Sequence, residues 1–178
     1  MADEQHEATA EEQAALEGLE RDFLQATALL RNGQVDKAED LLTEILRTEP
    51  RLPEPRMELA RIHLDSDRTA SAEEHARMAL EHLGSGGQWT EMLEPNVVQS
   101  IAHALLAECL RRRLEEDEVI FGDPSIFKDL IAESKHHFSA ARDLDPSDET
   151  SSYYAYFLGP EGHGGAKITP DSDDAETD

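Results

Sequence analysis

Histidine is the residue type of this chain that could most readily bind a metal ion. The 178 residues include eight His, with His136 and His137 adjacent and His75 and His103 as further candidate ligands. Adjacent side chains on a helix point about 100° apart, so His136 and His137 cannot bind one ion without help from other residues. The chain also has no HExxH motif and no two His four residues apart with an acidic third ligand. We therefore expect no metal site.

Motifs for nucleophilic and phosphate chemistry are also missing. The chain has no GxSxG sequence, and the stretch EGHGGAK at residues 161–167 lacks the spacing of a phosphate-binding loop. Cys109 lies in an apolar helical stretch, where we expect a small buried side chain, and a single cysteine excludes an internal disulfide. The sequence therefore predicts a protein that is not an enzyme and that needs no cofactor.

The charge of the chain is strongly acidic. The formal net charge is −24, with seven acidic and no basic residues in 1–20 and six acidic residues against one Lys in 160–178. Such a surface lacks the basic patch that nucleic acid or an anionic membrane would need, although it is also typical of a salt-rich cytoplasm and does not by itself imply a partner. Since neither a leader sequence nor a run of 18 apolar residues occurs, we expect a cytoplasmic protein without membrane insertion.

Residues 19–50 have the pattern of two amphipathic helices joined by a tight turn. The apolar residues recur every three or four positions, as on one face of a helix, and Asn32-Gly33 separates the two halves. These apolar residues are Leu19, Phe23, Ala26 and Leu30 in the first half and Ala38, Leu42 and Ile45 in the second. A single hairpin of this kind cannot bury both apolar faces, so further copies are expected.

Two further copies follow in the sequence. The first begins 34 residues later and has small residues at the equivalent positions, Ala60, Ala72, Ala76 and Ala79. The second combines Leu106-Ala107 with a later segment in which the spacing of Ala38, Leu42, Ile45 and Pro50 recurs as Ser134, Phe138, Ala141 and Pro146. The predicted helices cover residues 9–31, 36–48, 55–65, 70–83 and 95–114, followed by a sixth that starts at Asp123-Pro124 and, after Pro146, a last that ends at Gly159-Pro160. Side-chain caps are predicted at Thr9, at Asp36, at Thr69 or Ser71, and at Ser147.

The 34-residue period, the small residues at the helix crossings and the Pro after the second helix resemble the tetratricopeptide repeat. The resemblance covers residues 19–159 and implies an all-α fold, a short right-handed solenoid of about three helical hairpins with a closing helix at the C-terminal end. Insertions interrupt it near residues 84–95, where one helical turn at 90–93 is expected, and near residues 114–126. We expect residues 1–18 to form an acidic extension and residues 160–178 a disordered acidic tail.

The second insertion combines four consecutive acidic residues, 115–118, with three apolar ones, Val119, Ile120 and Phe121. Such a segment could be a packed lid or a partner-binding arm. Three adjacent apolar residues favour the packed lid, because a domain usually buries such a group itself.

The resemblance implies a non-catalytic adaptor or scaffold for protein–protein interaction, in which the first helix of each hairpin lines a concave groove. The Lys and Asn with which relatives clamp a chaperone C-terminus are missing here, so the expected ligand is an apolar extended segment or an amphipathic helix. The predicted groove residues are Phe23, Thr27, Leu30, Met57, Arg61, Leu64, Ala104, Glu108 and Arg111. Of these, Phe23, Leu30 and Met57 should be partly exposed. The alternatives are a small acidic chaperone for a secreted or assembly substrate, and self-association through the solenoid ends.

Overall fold

A computed structural model describes residues 10–87, 89 and 93–159. Within these ranges the chain forms eight helices and no strand, which confirms the predicted all-α fold. The helices are α1 Ala10–Arg31, α2 Val35–Thr48, α3 Pro53–Asp65, α4 Thr69–Gly84, α5 Pro95–Arg113, α6 Asp117–Ile120, α7 Pro124–Leu144 and α8 Glu149–Phe157. They form three hairpins, α1–α2, α3–α4 and α5–α7, followed by α8. The predicted tail, the cap at Thr9 and most of the predicted turn at 90–93 lie outside the described residues.

The first two hairpins close through the same backbone turn. Gly33 and Asp67, which are 34 residues apart, have positive φ angles of 72° and 56°. The next residue of each turn donates its N–H back across the helix end, Gln34 to the Leu29 carbonyl at 2.9 Å and Arg68 to the His63 carbonyl at 2.8 Å. These bonds satisfy carbonyls that a helix end leaves free, so each turn needs only three residues.

The predicted side-chain caps of α2 and α4 are wrong. Gln34 and Arg68 precede the two helices, and neither side chain makes a capping hydrogen bond. Asp36, Thr69 and Ser71 lie inside the first turns of these helices, because the chain passes from the left-handed turn residue almost directly into the helix.

Side chains do cap the last two long helices. Asp123 accepts the Ser125 N–H at 2.8 Å and Asp148 accepts the Ser151 N–H at 3.1 Å. The cap of α8 is therefore Asp148, one residue beyond the predicted Ser147.

The hairpins are held together by clusters that cross from one repeat to the next. Leu42 and Ile45 of α2 pack with Phe23 of α1 and with Leu59 and Ile62 of α3. A second cluster, from five helices, contains Ala60, Ala76, Leu106, Leu110, Val119 and Leu130. A solenoid has no single central core, so stability depends on these contacts between neighbouring hairpins.

The insertion between α5 and α7 is only partly packed, so the predicted lid is wrong in its extent. Val119 is buried, whereas Ile120 and Phe121 are exposed. Because α6 is a single helical turn, three successive side chains point in three directions and only one of them can face the core.

The closing helix α8 packs on α7 as α3 packs on α2. Both helices begin three residues after a proline, Pro50 for α3 and Pro146 for α8. Buried Ala155 contacts the cluster of Phe138, as Leu59 contacts that of Leu42. Tyr156 is then equivalent to Ala60, since each is the seventh residue after the first residue of its helix. Tyr156 is exposed, and no described helix crosses α8 there.

Helix α1 runs without a break through Gly18, from the predicted extension into the first hairpin. The division of the chain at residues 18 and 160 stays a prediction.

Candidate protein-binding groove

The first helices of the three hairpins line an open cavity of about 590 Å³. Helix α1 contributes Phe23, Thr27, Leu30 and Arg31, and α3 contributes Glu54, Met57, Glu58 and Arg61. Helix α5 contributes Val98, Ile101 and Leu105, and Leu93 lies just before it. We call this surface the groove. Five of the nine predicted residues line it: Phe23, Thr27, Leu30, Met57 and Arg61.

The apolar part of the groove is accessible from solvent. Leu30, Met57 and Leu105 are half-buried, as predicted for the first two, and Ile101 is exposed. Arg61 forms an ion pair with Glu58, and burial raises the pKa of the Glu58 carboxyl despite that pair. An apolar surface with a few charged groups at its edge is typical of sites that bind protein segments.

Phe23 does not have the predicted exposure, because its side chain is only 5% exposed. Trp89, from the loop between the second and third hairpins, packs on it with the ring centroids 5.6 Å apart. The Trp89 backbone N–H donates to Glu54 Oε1 at 2.9 Å and so attaches this loop to α3. Phe23 is therefore part of the groove floor rather than a free contact residue.

Leu64 belongs to the core and not to the groove. It lies four residues after Ala60, on the same face of α3, and that face packs against the neighbouring helices. There it contacts Ala72 and Cys109, and all three side chains are buried. Burial also raises the pKa of the Cys109 thiol to about 12, which keeps it protonated.

On α5 the predicted residues Ala104, Glu108 and Arg111 are half-buried, but they do not line the groove. Arg111 bonds to Glu108 at 2.7 Å, and its guanidinium carbon lies 5.3 Å from the centre of the Tyr154 ring. The closing helix therefore engages Arg111. Val98, Ile101 and Leu105 take part in the groove instead, and their spacing of three and four residues is the signal that could have identified them.

The structure brings together two of the histidines considered as metal ligands. His103 and His137 lie with their Nδ1 atoms 2.8 Å apart, and His75 packs on His63 with the ring centroids 5.2 Å apart. Burial lowers the pKa of His75 and of His137 to about 4, so both rings are neutral at pH 7. In the part of the chain that the structure describes, no group of three or more His, Cys, Asp or Glu could hold a metal ion.

None of the helices in the described ranges is long and apolar enough to cross a membrane.

Comparison with known proteins identifies the repeat. A search of curated proteins found no match to the chain. The family model described as tetratricopeptide repeat matches residues 29–85, from the end of α1 to the residue after α4. Proteins of this family generally act as non-catalytic modules for protein–protein interaction. The third hairpin lies outside the match, so the comparison identifies the tetratricopeptide repeat in residues 29–85, the first two hairpins.

Proposed function

We propose that the groove binds an apolar or amphipathic segment of another protein, so that the chain acts as an adaptor or scaffold. The observation that supports this is the continuous apolar surface formed by Leu30, Met57, Val98, Ile101 and Leu105 across three helices. Ile101 is exposed, and Leu30, Met57 and Leu105 are half-buried, whereas Val98 is buried and forms part of the groove floor.

Charge indicates which segment fits best. The groove carries Arg31 and Arg61 as well as Glu54 and Glu58, so its own charges balance even though the chain is strongly acidic. A ligand therefore gains little from a net charge of either sign at the groove. Its affinity depends on the apolar side chains that it buries, each worth about 1.5–3 kcal/mol when fully covered.

The test uses peptides selected from a random phage-displayed library on the full chain, and their affinities for variants. We expect the selected peptides to carry apolar residues with helical or alternating spacing. Met57→Glu and Ile101→Glu should each weaken binding about 10- to 100-fold, because a buried charge replaces an apolar contact.

Val35→Glu is the matched control, because Val35 is an exposed apolar residue of α2 that does not line the groove. It should bind the peptides as the unchanged chain does, and circular dichroism should show that all three variants are folded. Selected peptides that bind the two groove variants with full affinity would disprove the proposal.

The predicted chaperone for a secreted or assembly substrate would use the same apolar surface. It differs in requiring the chain to suppress the aggregation of an unfolded client. Light scattering would measure the aggregation of a denatured client protein in the presence of the unchanged chain and of the Met57→Glu variant. Suppression of aggregation by the unchanged chain alone would indicate the chaperone function rather than binding to a defined segment.

A further inference from the structure

The connection between α5 and α7 departs from the repeat. The first two hairpins turn in three residues, 32–34 and 66–68, whereas residues 114–123 make a connection of ten. We call these ten residues the insertion. It is attached to the domain at its middle, where Val119 is buried in the cluster of Leu106, Leu110 and Leu130. The insertion is therefore packed against the domain through Val119.

The last residues of the insertion, Gly122 and Asp123, have a fixed backbone conformation. A Cβ atom on Gly122 would lie 2.2 Å from the carbonyl oxygen of Glu118, so only glycine permits this close approach. The next residue, Asp123, caps α7 through the Ser125 N–H. Phe121 is thus held between a buried turn and a capped helix.

The side chain presented at this point is strongly apolar. Phe121 is 83% exposed, and its neighbours Ile120 and Ile126 are 50% and 47% exposed. None of the three lines the groove. A large aromatic side chain on a fixed backbone loses little conformational entropy on binding, which is why such residues anchor protein interfaces.

Carboxylates surround this apolar group. Residues 115–118 and 123 are all acidic, and the ten residues of the insertion contain no Lys or Arg. Glu115 is paired with Arg111 at 2.6 Å and Glu116 with Arg113 at 4.0 Å. Asp117, Glu118 and Asp123 form no ion pair with the described part of the chain. A partner that covers Phe121 must therefore meet uncompensated negative charge at the rim of the contact.

We propose that Phe121 anchors a second protein-binding surface, whose target is an apolar helix face flanked by lysine or arginine on a partner protein. This surface is independent of the groove. The partner supplies the cations that the insertion lacks, and the fixed turn at Gly122 keeps Phe121 in position before binding.

The test measures fluorescence anisotropy of a synthetic amphipathic helix, with leucines on one face and lysines on both flanks, against the full chain in 0.15 M salt. Phe121→Ser should weaken binding at least tenfold without changing the melting temperature, since the side chain is exposed. The double variant Asp117→Asn, Glu118→Gln keeps Phe121 and should weaken binding with a smaller dependence on salt.

Two controls separate this surface from others. Tyr153→Ser removes another exposed aromatic side chain, on α8, and should bind within twofold of the unchanged chain. Because the groove is itself proposed to bind amphipathic segments, each comparison is also made in a Met57→Glu background, where Phe121→Ser should cause the same loss of affinity. Failure of the groove proposal would therefore leave this result unaffected.

Three results would overturn the proposal. The first is full affinity of Phe121→Ser for the lysine peptide. The second is equal binding of a peptide with glutamates in place of the lysines. The third is Phe121-dependent binding to phosphatidylcholine vesicles, which would identify a lipid surface as the target.

Discussion

The two helices of the second hairpin and those of the third cross through different side chains. In the second hairpin the crossing of α3 and α4 is made by alanines: Ala60, Ala72, Ala76 and Ala79 are fully buried. In the third hairpin the position equivalent to Ala72 is Ser134, whose hydroxyl donates to the Ala107 carbonyl at 2.9 Å. Ser100 donates in the opposite direction, to the Ala141 carbonyl, at 2.9 Å. The alanine contacts depend on close approach, and a hydrogen bond between His63 and Ser71 at 2.8 Å also joins α3 and α4. The serine crossing instead has two hydrogen bonds from buried serines to backbone carbonyls.

The two hairpins also differ in the length of their helices. Helices α5 and α7 have 19 and 21 residues, against 13 and 16 for α3 and α4. A longer pair has more ways to slide along its contact. Two hydrogen bonds of opposite direction select one register, because each hydroxyl reaches only one carbonyl.

The largest effect is expected at the alanine crossing. Ala76→Leu adds three carbon atoms where the side chain is fully buried, so it should lower the free energy of unfolding by about 1–3 kcal/mol. Urea denaturation followed by circular dichroism measures this change. The control is Ala28→Leu, at an exposed position of α1, which should stay within about 0.5 kcal/mol of the unchanged chain. Equal stability of the two variants would show that α3 and α4 can separate without cost.

The serine crossing should respond more weakly. Ser134→Ala removes one buried hydrogen bond, at a cost of about 1 kcal/mol. Thr43→Ala is the control, because the exposed Thr43 hydroxyl bonds only to the Glu39 carbonyl of its own helix. That change should be neutral or slightly stabilising, since alanine is the better helix former. If both variants had the same stability, the hydrogen bond between the helices would contribute nothing.

The third expected effect concerns pH, and it tests a feature that the second and third hairpins share, a neutral histidine on the second helix of each hairpin. His75 in the second hairpin and His137 in the third both have a pKa lowered by burial to about 4, against 6.5 when exposed. Between these values the unfolded chain binds protons that the folded chain does not, so stability should fall as the pH falls from about 6.5 to 4. His137→Gln should reduce the resulting drop in melting temperature by a few degrees.

A second titration lies lower and can be separated. The pKa of Glu39 is lowered to about 2, chiefly by its hydrogen bond to Arg68, so its contribution is lost only below about pH 4.5. Melting curves recorded from pH 7 to pH 5 therefore exclude the Glu39 titration, and comparison with His137→Gln isolates the contribution of that histidine. An unchanged drop in His137→Gln and in the matching variant His75→Gln would contradict the assignment.

Much of the fold could be predicted because the repeat gives redundant signals. The 34-residue period placed Ala60, Ala72 and Ala76 correctly in the core, and every long helix begins within about two residues of its predicted start. The caps of α2 and α4 were missed because a turn at Gly33 or Asp67 satisfies the helix ends through the backbone. Periodic side-chain patterns contain no information about such bonds.

The groove could be predicted only where the first helices follow the repeat closely. Met57 and Leu30 are where the pattern places them, but the covering of Phe23 by Trp89 depends on a glycine-rich loop without periodicity. Leu64 was wrongly assigned to the groove. It lies four residues after Ala60, and this spacing places both side chains on the face of α3 that packs in the core. On α5, neighbouring side chains point about 100° apart around the helix axis. An error of one position in the predicted register therefore assigned Ala104 to the groove instead of Leu105.

Tyr156 has a consequence for how this array could change in length. At the equivalent position of α3, the fully buried Ala60 leaves room for the next helix to cross. The phenol ring on α8 fills that room, so a fourth hairpin added after residue 159 could not dock by the same contacts. Gain of a repeat at this end, by gene duplication or by engineering, would first require a small residue in place of Tyr156.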